Sequence, residues 1–587
     1  MKYTIEIPSE PLLAPEIGHG GYQGFNSRRE TLRKGEAPFG ARKLPCDIIA
    51  EYDTTIVMRD GIKLYADIFR PSATQEKVPA ILCWSPFGKT FNGIDCLRLI
   101  TPFNLGIPLD TLSGLEKFEG LDPAEWVKDG YAIVNVDSRG AFNSEGQMVI
   151  MGTQEAEDGF DTIEDIAKRP WCNGSVGMAG NSHLAIVQWF IAALQPPSLK
   201  AIAPWEGCGD LFREQFNRGG IYGGSLFDQL IVKHMLRGYN GMESFRLMYE
   251  KHPLSNDWWE EKRPDMKKIN IPTYITGTWT NSMHGMGAIR GWMEVNTEKK
   301  WLRWHPYQEW YDLWGNPQAK NELLLFFDRY LKGEQNGWES TPHVRMAVLR
   351  YETKPPLENL VEDNFPIPRT MYQKAYLNNG GRLSLHQAPT TGRDESVSYN
   401  SEDTNDFASF TYKFTETTQL VGIPKAILYM SCPTADDMDV FIILCKLSAT
   451  GKIQMNLNIP WKGLPVSSIE EIPEEKRKEI ILYKGPSGIL RASHRAIDQS
   501  KSMHENWPFH PHASEDKVTP GTIVKLEIGI WAMGVEYEVG ESIQLQISGH
   551  YRGMTDFKTT FSGVNKGNHV VHFGGRYDSH IILPVLS

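Results

Sequence analysis

Residues 176–190, VGMAGNSHLAIVQWF, constrain this chain more than any other stretch. An apolar run stops at Gly180, Ser182 follows at once, and a segment without Gly or Pro begins. The pattern predicts a buried strand, a turn tight enough to need Gly180 and Asn181, and an amphipathic helix. A serine at such a turn stands above the sheet at a helix N-terminus, where developing negative charge is stabilised. The general pattern for a nucleophile there is G-x-S-x-G. Here Leu184 occupies the second glycine slot and Ala185 follows it. The plain competing role for Ser182 is the N-cap of an ordinary helix.

The surrounding chain reads as a layered α/β protein. CDIIAEYDTTIVMRDGIKLYADIFRPS alternates apolar and polar residues around Asp60-Gly61, which predicts a hairpin. VPAILCWSPFG, GYAIVNVDSRG, SVGMAG, LKAIAPWEG, IPTYITGTW and KKWLRWHP read as strands, with helical spacing in EAEDGFDTIEDIAKRPW and SHLAIVQWFIAALQ. Strands alternating with helices predict a mostly parallel sheet. Residues 211–268, rich in aromatic and charged residues, interrupt that alternation and read as a helical cap over the sheet. FDQLIVKHMLRGYNGMESFRLMYEKH within it is the expected pocket lining. Residues 91–125 read as a long loop bordering the same pocket. After about residue 366 the texture becomes short β-rich runs, with IEEIPEEKRKE the single helical candidate, which predicts a jelly roll or β-sandwich. The expected organisation is an N-terminal extension (1–45), an α/β domain (46–365) and a β domain (366–587).

Composition removes several function classes. The formal net charge of −11 disfavours a nucleic-acid surface. No stretch approaches the roughly 18 apolar residues of a membrane span, and MKYTIEIPSEPLL lacks the pattern of a secretory signal. Seven cysteines, an odd number with no CxxC pair, suggest reduced thiols in a cytoplasmic protein and no zinc site. The expected partner is a small-molecule substrate, not a nucleic acid or a membrane, with homo-oligomer formation left open.

WCNGSVGMAGNSHLAIVQWFIAALQPPSLKAIAPWEGCGDLFRE resembles the nucleophile region of the cocaine esterase / X-prolyl dipeptidyl-peptidase (CocE/NonD) family. IVMRDGIKLYADIFRP, GYAIVNVDSRGAFNSEG, GILRASHRAID and GESIQLQISGH resemble further segments of that family in the same order. The resemblance covers nearly all of the chain from about Cys46. It implies an α/β-hydrolase fold with an inserted helical cap, followed by a C-terminal jelly roll. It also implies hydrolysis of an ester or amide through an acyl-enzyme, without metal or organic cofactor. A bulky apolar substrate is expected from the aromatic cap.

Residue by residue, the resemblance places the nucleophile at Ser182 and the general base at His305, with His183 and His284 as competing histidines. Two slots depart from the family. Asn281 stands where the family has the triad aspartate, and Phe87 where it has an oxyanion tyrosine. An asparagine cannot stabilise an imidazolium by charge; in the serine-protease template the same change costs about 10⁴ in turnover. One lost oxyanion donor costs about 10²–10³. Glu309, ahead of Asp312, is the replacement acid expected from its place beside His305. The His183 backbone N–H is the expected oxyanion donor, and Trp279 and Glu206 are expected to contact substrate. Because both slots are altered, a non-hydrolytic lyase, cyclase or acyltransferase is the alternative reading, and a non-catalytic binding protein is the third.

Overall fold

The computed structural model describes residues 3–17, 21–72, 76–385, 392–554 and 563–587. Its first half is built on an eleven-stranded sheet. In chain order the strands are β1 (Arg28–Leu32), β2 (Ile48–Val57), β3 (Lys63–Pro71), β4 (Val78–Ser85), β5 (Ala132–Asp137), β6 (Cys172–Asn181), β7 (Leu199–Trp205), β8 (Thr273–Thr278), β9 (Lys300–His305), β10 (Val344–Val348) and β11 (Leu357–Glu362). They lie side by side as β11-β10-β9-β8-β7-β6-β4-β5-β3-β2-β1. From β10 to β5 every pairing is parallel, and the two outer flanks are antiparallel.

The β2–β3 hairpin pairs Val57 with Lys63 across the Asp60-Gly61 turn, where Gly61 takes φ of 87°. The central strands read as continuous apolar runs because helices cover both faces of a parallel sheet. β4 and β5 are buried along their whole length. Helix α1 (Thr153–Lys168) packs against β6 and against α2 (His183–Ala193), which is buried on nearly every side. The amphipathic face expected of α2 is absent, since the helix lies in the core rather than at the surface.

Between β7 and β8 the chain leaves the sheet and forms helical turns at Leu211–Phe216, Phe227–Met235, Phe245–Lys251 and Asp257–Glu261. Their aromatic residues pack on one another, as in the 4.1 Å stack of Phe216 on Phe245. Helix α3 (Gly285–Glu294) then follows β8. Three expectations need correction. The N-terminal extension joins the fold: β1 completes the main sheet, and Ser9–Glu10 pairs antiparallel with Met242–Glu243 of the cap. Residues 91–125 carry a helix at Gly93–Ile100 and are largely buried, so they form part of the core and not a free loop. IEEIPEEKRKE makes only single turns at Ile469–Glu471 and Glu474–Lys476.

The second half, from Thr370–Asn378 to His580–Leu586, is a thirteen-stranded and almost entirely antiparallel β assembly. It is tied to the first half by main-chain bonds from Leu349 N–H to Gly534 O (2.8 Å) and from Gln308 N–H to Asn458 O (2.6 Å).

The turn between β6 and α2 stores strain. Ser182 sits at φ 54°, ψ −120°, outside the regions open to most L-residues. Gly180 has φ of 134°, and a Cβ there would lie 2.6 Å from Leu184 Cβ and 2.8 Å from Glu119 O. Leu184 therefore makes Gly180 obligatory. The close approach that a second glycine in the turn would permit is supplied from across the groove by Gly207, which touches Ala185 and Ile186. Gly180→Ala combines backbone strain with overpacking, so a destabilisation of about 2–4 kcal/mol is expected. A thermal melt of the variant beside the wild type checks it, and an unchanged midpoint would contradict this account of the turn.

Candidate active site

Parallel strands bring their carboxyl ends to one edge, and ligands of open α/β sheets bind there. Phe87 follows β4, Ser182 follows β6, Glu206 follows β7, Asn281 and His284 follow β8, and Gln308, Glu309 and Trp310 follow β9. All of them line one cavity of about 270 Å³. Its other walls are Phe118 and Glu119 from the 91–125 segment, Leu226, Phe227, Leu230, Ile231 and Met235 from the cap, and Asn458, Lys478, Glu479 and Ile480 from the β domain. Only the first part of the cap stretch singled out in sequence reaches the cavity, while Phe245 and Met248 pack inside the cap.

The imidazole that reaches the serine belongs to His284, not His305. His284 Nε2 lies 3.1 Å from Ser182 Oγ. His284 is held by Asn281, whose Oδ1 accepts the main-chain N–H groups of Met283 (3.0 Å) and His284 (3.1 Å). Burial, reinforced by the neighbouring His183, pushes the His284 imidazole down to about 3. Its place at the N-terminus of α3 also disfavours the cation. The ring is therefore neutral and able to accept a proton at physiological pH. Its Nδ1 is buried and has no hydrogen-bond partner among the described residues.

His305 lies behind this layer and does not line the cavity. Its Nε2 is 2.6 Å from Glu206 Oε1, and its Nδ1 is 3.9 Å from Asp312 Oδ2. Burial works to lower the His305 imidazole, but Asp312 and Glu206 outweigh it and hold it above its ordinary value. The carboxylate on His305 is thus Glu206, not Glu309. Asp312 is engaged by Arg303 at 2.5 Å and by Asn316. Strand geometry explains the reassignment: His305 is the last residue of β9, still inside the sheet, whereas His284 sits beyond β8 in a loop that curls over the serine.

Asn281 Nδ2 donates to Glu206 Oε2 (2.9 Å) and approaches Glu309 Oε2 (3.5 Å). Asn281 is thus a bridge between two carboxyls and a cap for the His284 loop. Burial first, then the charges of Glu206 and Glu119, hold the Glu309 carboxyl well above the usual carboxylate range. Glu119, which the sequence did not single out, is also in the site. Burial holds its carboxyl well above the ordinary range, against the pull of the Trp310 indole and the adjacent Ser182 hydroxyl.

His183 turns its ring away from the serine. Its Nε2 is 2.9 Å from Glu155 Oε1, which also accepts the Trp84 indole N–H at 2.9 Å. Its main-chain N–H is the first of α2, a position with no intrahelical acceptor. Phe87 packs edge-on against that ring with centroids 5.6 Å apart. Trp279 is outside the cavity. It stacks on Trp304 at 4.0 Å and donates its indole N–H to Ala347 O, so it belongs to the core and not to a substrate surface.

A strained serine between strand and helix, a neutral histidine in contact with it, and a helical cap define a protein of the α/β-hydrolase class. Comparison with known proteins carries this further. Residues 60–238 match the model of the X-Pro dipeptidyl-peptidase (S15) family, and residues 336–582 match that of the X-Pro dipeptidyl-peptidase C-terminal non-catalytic domain. A CocE/NonD family hydrolase from Staphylococcus aureus has a solved structure that superposes with a TM-score of 0.82 at 30% identity, covering 96% of this chain and 97% of that one. Cocaine esterase of Rhodococcus sp. (strain MB1 Bresler) is 23% identical over 90% of this chain and 97% of its own. A putative serine esterase of Mycobacterium bovis is 22% identical over 84% and 89%. The chain belongs to the CocE/NonD family of hydrolases, the serine esterase and X-Pro peptidase type.

Two measurements test this geometry. Asn281→Asp places a third carboxylate between Glu206 and Glu309 and removes the donor that joins them. It is expected to destabilise the protein by about 1–3 kcal/mol and to lower activity; a gain in activity would mean that Asn281 orients the imidazole. The pH dependence of serine labelling by a fluorophosphonate follows from His284. Its folded value is depressed, so the base form persists as pH falls, and the labelling rate should stay flat from about pH 8 to about pH 5. An imidazole at its ordinary value would lose roughly 30-fold over that range.

Proposed function

We propose that this protein hydrolyses an ester or amide of a small, largely apolar organic molecule through an acyl-enzyme on Ser182, with His284 as its general base. The observation that carries the reading is the 3.1 Å contact between His284 Nε2 and Ser182 Oγ at the floor of an apolar cavity. His284 takes the hydroxyl proton as Oγ attacks the acyl carbonyl. The His183 main-chain N–H, at the positive end of α2, is the oxyanion donor. His305 and Glu206 act from behind: their ion pair sets the end of β7 and, through Asn281, the loop that carries His284.

The substrate class rests on the walls. Phe87, Leu99, Ile100, Phe118, Phe227 and Ile231 give the cavity its apolar surface, while the polar groups gather around Ser182. Such a division suits an apolar acyl group held with its carbonyl toward the serine. A second reading keeps the cavity and changes the chemistry to lyase, cyclase or acyltransferase. The absence of a carboxylate on His284 Nδ1 among the described residues favours it, as does Phe87 in a hydroxyl slot.

Intact mass after fluorophosphonate treatment separates the two. A single adduct is expected in the wild type, none in Ser182→Ala, and a labelling rate about 10²–10⁴ lower in His284→Ala. His305→Ala should still label but melt earlier, because Glu206 is left as a buried carboxylate without its cation. Absence of an adduct in the wild type would overturn the acyl-enzyme reading in favour of the second.

A further inference from the structure

Glu119 is placed too precisely, and at too much cost, to be a wall residue. Its main chain adopts φ of 65°, a conformation disfavoured for a residue with a side chain. Its carbonyl accepts the N–H of Asn181, the residue before the nucleophile, at 3.2 Å. The strap that carries it is pinned on both sides. Lys117 Nζ donates to Ser85 O (3.0 Å) and Val136 O (2.5 Å) at the carboxyl ends of β4 and β5, and the Trp314 indole donates to Gly120 O at 2.9 Å.

The side chain is 2% exposed and lines the cavity with Ser182 beside it. Among the described residues no cation pairs with it. The Trp310 indole N–H donates to Oε1 at 3.2 Å, while Oε2 is buried without a hydrogen-bond partner of its own. An indole N–H can only donate, so Oε1 acts as an acceptor, and Oε2 is the oxygen left to carry an acid proton, with the Ser182 hydroxyl beside the carboxyl. Glu206 and Glu309 differ: the first is ion-paired with His305, and both take the Asn281 amide.

We propose that Glu119 is a catalytic general acid that protonates the leaving group during acylation, so that the two proton transfers are divided between Glu119 and His284. The inference rests on the acyl-transfer reading of Ser182 and deepens it. In acylation His284 Nε2 takes the proton of Ser182 Oγ, the Oγ–carbon bond forms, and the bond from the carbonyl carbon to the leaving oxygen or nitrogen breaks. That atom keeps the electron pair and takes the Glu119 proton. The site then holds an acyl-serine, an imidazolium and a Glu119 carboxylate. In deacylation a water gives one proton to Glu119 as its oxygen attacks the acyl carbon, and Ser182 Oγ departs with the proton of the imidazolium. The net change is one water added across the acyl bond, with every group restored. Burial raises the carboxyl of Glu119 well above its ordinary range and lowers the His284 imidazole, and a pair displaced in opposite directions is suited to separate acid and base work.

The test is a series of esters with one apolar acyl group and leaving groups from p-nitrophenol to ethanol, given to the wild type, Glu119→Gln and Glu119→Asp. A p-nitrophenolate leaves without a proton and an ethoxide does not. The wild-type kcat/KM should depend only weakly on the leaving group. Glu119→Gln should keep kcat/KM for the p-nitrophenyl ester, which reports acylation alone, within about threefold and lose about 10²–10⁴ in kcat/KM for the ethyl ester, while the shared deacylation step slows for both. Glu119→Asp, which retains an acid, should keep the shallow dependence at a reduced rate. The wild-type ethyl ester rate should also fall as pH rises through the Glu119 titration, with no such limb for the p-nitrophenyl ester. Equal losses on both esters, or a steep dependence already in the wild type, would overturn the role of Glu119. Fluorophosphonate labelling keeps the outcomes apart. A variant that labels at the wild-type rate is folded with its nucleophile intact. A wild type that does not label would remove the acyl-enzyme reading, and this inference with it.

Discussion

Two main-chain hydrogen bonds hold the chemistry of this protein in place. Asn181 N–H binds Glu119 O at 3.2 Å and Ser182 N–H binds Glu206 O at 3.0 Å. Glu119, Ser182 and Glu206 all have positive φ, at 65°, 54° and 61°. Each such residue costs on the order of 1–3 kcal/mol and persists only where its surroundings over-determine it. Here three segments, the strap after α/β strand β4, the β6–α2 turn and the end of β7, fix one another. The turn is bonded to both of the others, and the buried sheet beneath supports all three. The catalytic side chains therefore stand on backbone that has little freedom to move.

The electrostatics of the cavity follow from its dryness. Several carboxyls and imidazoles lie in or just behind it, and burial together with neighbouring charges displaces Glu119, Glu309, His284 and His305 from their ordinary ranges. Glu206 and His305 form an ion pair away from the cavity space, and Asn281 joins that pair to Glu309 and to the His284 loop. Burial holds the carboxyls of Glu119 and Glu309 well above the ordinary range, and among the described residues neither has a salt-bridge partner. His284 is held neutral because it is buried beside His183 at a helix N-terminus.

Asn281 and Phe87, which the sequence resemblance marks as departures from the family pattern, have structural roles in this setting. Asn281 does not replace an aspartate by imitation. Its Nδ2 donates to two carboxyls, which a carboxylate at this position could not do, while its Oδ1 caps the His284 loop. Phe87 gives the cavity an apolar rim against the His183 ring. A phenyl group there removes a hydroxyl donor, and a second proton source within reach of Ser182 bears directly on how the site can still work.

Local pattern was enough to predict the central strands of the α/β sheet, the helices on either side of the serine strand, the hairpin at Asp60-Gly61, the cap inserted after the strand that follows the helix of Ser182, and the change to β structure in the last third. Strand-turn-helix punctuation around Gly180 also picked out Ser182, because a turn that tight leaves its mark in glycine and small residues next to an apolar run. Spacing along the chain could not decide between His284 and His305. Strands β8 and β9 end side by side, Thr278 paired with His305, so His305 stays within the sheet while His284 lies six residues beyond Thr278 in a loop that folds back over the serine. Nor could sequence find Glu119, an acid in a segment that reads as loop, whose role depends on the buried strap, on Lys117 gripping two strand ends, and on an indole from across the cavity. Periodicity is a property of neighbours in the chain, so the sequence by itself determined the fold class and singled out Ser182 as the candidate nucleophile. Proton positions depend on burial and on partners brought from a hundred or more residues away, and these only the tertiary structure decided.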